Sequence, residues 1–211
     1  MKILLITLLI VIPALLLAGC KIAVNEGYRV EDGETASGSK NTINGMIHIG
    51  ENADVKGECR SLNGNIDVGP NSLVRDLATI NGNVRIGKET IVKGDIQLIN
   101  GNVHCDAGVK VQGCVETING SIILDGTHVE KDLSTYNGNI ELSENSIVSG
   151  NIYIKEKNGS GSDYQDLKIE IDNSTVEGDI INEEPDTGVT VYLTNGARVK
   201  GKIVDAKVIE K

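Results

Sequence analysis

The chain has 211 residues and a formal net charge of -10, with 25 Gly, 3 Pro, 5 Tyr and neither Phe nor Trp, yet 39% of it is hydrophobic. Gly is far below the one-in-three of collagen, and the negative charge with no Phe or Trp removes both the phosphate attraction and most of the stacking platforms that nucleic acids need. A single folded domain with an aliphatic core of Val, Ile and Leu is what remains.

Lys2 is followed by an apolar run from Ile3 to Leu17, broken only by Thr7 and Pro13, and then by Ala18-Gly19-Cys20. A basic start, an apolar stretch and small residues before a cut have the layout of a secretory signal over residues 1–19. The run is shorter than the roughly 20 residues a membrane-crossing helix requires. Leu17-Ala18-Gly19-Cys20 resembles the bacterial lipobox. That resemblance implies that the Cys20 thiol takes a diacylglycerol and becomes residue one of a palmitate-bearing lipoprotein. Several acyl chains hold a protein stably on a membrane where one does not. Lys21 after the lipidated Cys resembles the class sorted to the outer membrane in cells that have two membranes. Residues 20–41 are expected to be a lipidated polar tether and N-terminal cap.

From residue 42 the sequence repeats. Asn-Gly recurs at Asn44, Asn63, Asn81, Asn100, Asn119 and Asn137, at intervals of 19, 18, 19, 19 and 18 residues. Such a period marks a solenoid. Aligned on these steps, apolar residues fall into columns: Ile47, Ile66, Val84, Val103, Ile122 and Ile140, then Ile49, Val68, Ile86, Cys105, Leu124 and Leu142 two places on. Two places is the repeat of one strand face. A Val recurs at 55, 74, 92, 111, 129 and 148, a fourth column runs Cys59, Leu77, Ile96, Val115, Leu133 and Ile152, and Ile43, Leu62, Ile80, Ile99, Ile118 and Tyr136 precede each Asn. Two further turns keep the columns without the Asn-Gly step, at Ile169, Ile171, Val176 and Ile180 and at Val191, Leu193, Val199 and Ile203.

These columns predict an all-β, single-stranded parallel β-helix of about eight coils, right-handed by the crossover rule and triangular in section, over residues 42–204. Loop insertions are expected at 153–166 and 182–188, and a C-terminal tail at 205–211. Asn and Gly both accept the left-handed backbone region, which suggests sharp corners at each Asn-Gly step, and stacked Asn side chains suggest bonding from coil to coil. Asn-Gly is also a hairpin signal, but the Val column has no mirrored partner, as an antiparallel array would require.

Cys59 and Cys105 lie in apolar columns several coils apart, too far for a disulfide, while Cys114 takes an outward position and offers a thiol for an intermolecular bridge. His48 and His104 share an outward position three coils apart and His128 lies on another face, so no tetrahedral zinc set forms. Lys56, Arg75 and Lys93 stack beside Glu58, Asp76 and Asp95, which reads as an ion-pair ladder or as a basic strip for an acidic glycan or lipid. The carboxylates Asp67, Asp106, Asp125 and Glu141 are scattered, and no nucleophile elbow or phosphate loop is present. No catalytic residue, metal site or cofactor is therefore expected, the protein is not expected to be an enzyme, and the ligand is unknown.

The runs Thr79-Ile80-Asn81-Gly82-Asn83-Val84-Arg85-Ile86-Gly87 and Val92-Lys93-Gly94-Asp95-Ile96 resemble bactofilins, the polymer-forming cytoskeletal proteins, and are similar to putative-adhesin proteins with β-strand repeats. The first resemblance implies a right-handed β-helix that polymerises end to end without nucleotide; the second implies an envelope-associated adhesive surface. Neither implies a catalytic residue. The expectation is a lipid-anchored cell-envelope scaffold or adhesin-like binding module, with an envelope protein or a second copy as partner and no nucleic acid. The alternatives are a self-polymerising bactofilin-like filament and a polysaccharide-active β-helix enzyme.

Overall fold

A computed structural model describes residues 22–156, 166–184 and 186–211. The signal segment and Cys20 lie outside the described residues, as does most of the first expected insertion. Short strands of Val, Ile, Leu and Thr, each two to six residues long, turn three corners per coil and pair in parallel with the coils before and after. Three sheets of ten, ten and nine strands result, here called A, B and C in the order in which the chain visits them. The fifth coil is typical: Ile96–Asn100 lies in sheet A, Val103–Cys105 in B and Lys110–Val111 in C. The predicted parallel β-helix with three faces is what forms, and no helix occurs among the described residues.

The stack is longer at its start than the repeat suggested. Where a tether was expected up to residue 41, strands Ile22–Ala23, Tyr28–Val30 and Thr35–Ala36 make a first coil, and Lys40–Thr42 opens the second. There are thus nine complete coils, from Ile22 to Val199, and Ile203–Val204 and Lys207–Glu210 begin a tenth. The first coil escaped the columns because Val30 and Ala36 are its buried apolar residues and its Asn25 is followed by Glu26, not Gly. The expected tail is also structured, since Lys207–Glu210 pairs with Thr190 to Leu193 in sheet B.

The apolar columns form the core. Ile47, Ile66, Val84, Val103, Ile122 and Ile140 are fully buried, as are Val74, Val92, Val111, Val129 and Val148 on the facing sheet. At the C-terminal end, Leu193, Val199 and Ile203 are only partly covered. The two insertions lie at the corner from A to B and lengthen the following strands, Leu167–Asp172 and Val189–Thr194, to six residues where earlier coils have three or four.

The Asn-Gly step differs from the expected corner. None of the six Asn has a positive φ, and of the six glycines only Gly101 does, at 156°. Left-handed corners fall elsewhere, at Asn52, Asn71, Glu89, Asn145, Asn173 and Asn195. Asn63, Asn81, Asn100 and Asn119 instead end sheet A strands, and with Asn44 they stack. The Nδ2 of Asn44 donates to Asn25 Oδ1 at 2.8 Å, Asn63 to Asn44, Asn81 to Asn63 and Asn100 to Asn81 at 2.8 Å, and Asn119 to Asn100 at 2.9 Å. Gly follows because the stacked turns approach closely: a Cβ on Gly64, Gly82, Gly101, Gly120 or Gly138 would run into the carbonyl oxygen of the glycine one coil below.

Candidate binding face

Counting by two from a buried residue sets which side chains leave the rod. In the fourth coil Leu77 and Thr79 point inward, so Ala78 and Ile80 point out. The parallel register repeats this geometry. One outward column on sheet A runs Asn41, Arg60, Ala78, Gln97, Glu116, Ser134, Tyr153 and Ile181. The second runs Ile43, Leu62, Ile80, Ile99, Ile118 and Tyr136, all half-buried, with the Asn ladder along its edge. Six apolar side chains at the sheet spacing of about 4.8 Å make a stripe on the order of 25 Å long. Scattered surface apolar residues need no explanation, but a continuous row is the mark of a contact surface.

The inward hydroxyls beneath this stripe anchor it. Ser61, Thr79 and Thr117 donate to the carbonyls of Gly45, Gly64 and Gly101 at 3.0 Å, and Thr135 to that of Gly120 at 3.3 Å. Within the six coils of the stripe only the fifth lacks the hydroxyl, where Leu98 fills the position.

Toward the C-terminal end the stripe meets a cluster of aromatic and charged groups: Glu116, Ser134, Tyr136, Tyr153, Lys155 and Glu183. Lys155 Nζ sits 3.9 Å from the Tyr153 ring centroid and 3.2 Å from Glu183 Oε1, while Asn151 Nδ2 donates to the Tyr153 hydroxyl at 2.9 Å. Burial pushes the Glu116 carboxyl above its ordinary value; Asp95 adds to this, and Lys155 and a Ser134 hydrogen bond oppose it. Burial likewise raises the Tyr136 phenol, helped by the charges of Glu116 and Glu183. A desolvated carboxyl beside the Tyr136 phenol, with the Tyr153 phenol further along, gives this end directional hydrogen-bonding capacity that the rest of the stripe lacks.

The residues singled out in the sequence are dispersed. Cys59 and Cys105 are buried and free; burial drives the Cys59 thiol to about 12 and the Cys105 thiol upward as well. Cys114 is half-buried and free, and its thiol is raised by burial and by Asp95 and Asp132, with a backbone hydrogen bond and Lys131 opposing. It is therefore poor in the thiolate that disulfide exchange needs. His104 Nε2 lies 3.0 Å from Asp125 Oδ2 and 3.5 Å from Asp106 Oδ1, while His128 Nε2 bonds Ser149 Oγ at 3.0 Å. Among the described residues no group of three or more His, Cys, Asp or Glu has metal-binding geometry.

The ion-pair ladder does not form as drawn from the sequence. Lys56 pairs with Asp54, and Glu58 with Arg60 at 2.7 Å. The carboxylates of Asp76 and Asp95 instead accept the backbone N–H groups of Asp95 at 3.0 Å and Cys114 at 2.9 Å, and Asp132 accepts that of Asn151 at 2.7 Å. At this corner a carboxylate one coil below takes the N–H left over, which the basic column does not offer. In the second insertion Glu184 and Thr187 are buried, and Asn182 Nδ2 bridges the carbonyls of Thr187 and Asp205 at 3.1 and 3.0 Å. That loop is packed onto the rod. No protein-family model, curated protein or solved structure matches the chain.

Proposed function

We propose that this is a lipid-anchored envelope protein, a non-catalytic β-helical scaffold whose sheet A face is an adhesin-like binding surface. The observation that carries the reading is the apolar stripe from Ile43 to Tyr136 on the outside of a rod whose backbone is otherwise bonded coil to coil. The lipid at Cys20 sets location, the coils set reach, and the stripe with its Glu116–Tyr136–Tyr153 end supplies contact. An envelope protein is the favoured partner, because apolar stripes bordered by amides and phenols suit protein surfaces. Cross-linking in intact cells tests this reading. A partner captured by the native chain and lost on Ile80→Asp with Ile99→Asp supports it, and capture unaffected by the pair counts against it. The anchor is tested separately: radioactive fatty acid should label the native chain and not Cys20→Ser, and a Cys20→Ser chain that fractionates with membranes unchanged would sink the anchor.

A second reading, the bactofilin-like filament, draws support from the C-terminal end. Arg198–Val199, Ile203–Val204 and Lys207–Glu210 are the last strands of their sheets, and Val204 and Val208 are exposed. Open strand edges invite another chain. Light scattering of the purified protein at rising concentration separates the two readings, since filaments scatter and a surface module does not.

A further inference from the structure

The ladder of Asn side chains covers five of the Asn-Gly steps and leaves the sixth out. At Asn63, Asn81 and Asn100 the carboxamide donates to the Asn below and accepts from the Asn above. The following N–H is also engaged, with Gly64, Gly82 and Gly101 donating to the carbonyls of Asn81, Asn100 and Asn119 at 3.0, 3.1 and 3.0 Å. The seventh coil breaks this order. Its sheet A strand, Leu133–Thr135, stops short of Asn137, whereas the four strands before it run through the Asn. Asn137 is exposed, and neither its carboxamide nor the Gly138 N–H has a hydrogen-bond partner among the described residues.

We infer that Asn137-Gly138 is a site of spontaneous deamidation and isomerisation, and that the ladder protects the steps below it. The Gly138 nitrogen, giving its proton to hydroxide, attacks Asn137 Cγ; the N–Cγ bond forms, the Cγ–Nδ2 bond breaks, and Nδ2 leaves as ammonia after taking a proton from water. Water then adds to one carbonyl of the resulting succinimide, breaking that carbonyl's bond to nitrogen and leaving aspartate or isoaspartate. No oxidant or reductant takes part. Glycine favours the first step because it has no side chain to crowd the attacking nitrogen. At Asn63, Asn81 and Asn100 the same attack requires the carboxamide to leave two partners and the N–H a third, so the step must wait for a local opening. At Asn137 nothing has to open. The product places a carboxylate, or a backbone longer by one carbon, next to Tyr136 at the charged end of the stripe.

Peptide mapping by mass spectrometry of the full chain, incubated native at mildly alkaline pH, reads conversion at each step. Asn137 should convert faster than Asn63, Asn81 and Asn100 by about tenfold or more, the factor that roughly 1.4 kcal/mol of opening free energy confers. Asn119, whose carboxamide makes a single ladder bond, should fall between. In strong urea the five rates should converge. An Asn81→Ala chain should accelerate Asn63 and Asn100, its two ladder neighbours, and leave Asn137 unchanged. Equal native rates, a lead for Asn137 that persists in urea, or no acceleration in the Asn81→Ala chain would each overturn the inference. This test reads the chemistry of one peptide bond and is independent of any partner.

Discussion

At Gly101 the close stacking of the coils acts on a single atom. Its Cβ would meet the Gly82 carbonyl oxygen, and the coil above is stacked in the same way, so the backbone has no direction in which to yield. Gly101→Ala should lower stability by about 1–3 kcal/mol, the usual cost of forcing atoms into a packed interior, measured by urea unfolding. Glu116 shows the opposite case, a residue the fold tolerates at a cost. Its folded carboxyl binds its proton more tightly than an unfolded one, so between the two values the native state holds more protons and stability falls as pH rises. Glu116→Gln removes that loss. The variant should melt above the native chain at neutral pH, and the gap should close as pH falls through the raised folded value; a gap independent of pH would refute the assignment.

Among the strands of the third to sixth coils, those of sheet A are the longest and most extensively bonded. Each five-residue strand of the third to sixth coils ends in a ladder Asn, and in three of the four a buried hydroxyl is tied to the glycine carbonyl of the coil below. Thr117→Val keeps the shape and strands the Gly101 carbonyl, at a cost of about 1 kcal/mol by chemical denaturation. Leu98 shows that the column accepts an apolar residue, so the loss should stay within that range. The columns that made the coils legible in the sequence were apolar repeats, and through the interior coils they match the core: Val92, Ile96, Val103 and Cys105 are all at 0% exposure, while Leu193, Val199 and Ile203 at the C-terminal end are only partly covered. The first coil was not legible, because Val30 and Ala36 are too few to register as columns. The stripe was visible as a column but not as a surface. Its orientation follows only when alternation is counted from a neighbour known to be buried, and Thr79 or Thr117 looks like an outward residue until its hydroxyl is seen capping a glycine. The cluster at Glu116 was not legible at all, since it joins residues from three coils and the root of an insertion.

Across the whole rod, each coil touches only its neighbours, so stability should behave as a chain of nearest-neighbour terms instead of one uniform core. An interior coil has two buried faces. The C-terminal end has one, and Leu193, Val199 and Ile203 there remain partly open. Ile96→Ala should therefore cost about 2–5 kcal/mol as a buried truncation, while Ile203→Ala, already partly in water, should cost well under half as much. Hydrogen exchange reads the same gradient without mutation. Amides of Ile96 to Leu98, bonded to coils on both sides, should exchange by global opening, and those of the terminal Ile203–Val204 strand by local fraying orders of magnitude faster. Concentration turns this into a test of end-on assembly. If protection at Ile203 and Val204 rises with protein concentration while that at Ile96 stays constant, a second copy is covering the end and the filament reading gains. Should the gradient persist unchanged at every concentration, the end stays open in solution and the side of the rod is left as the surface that works.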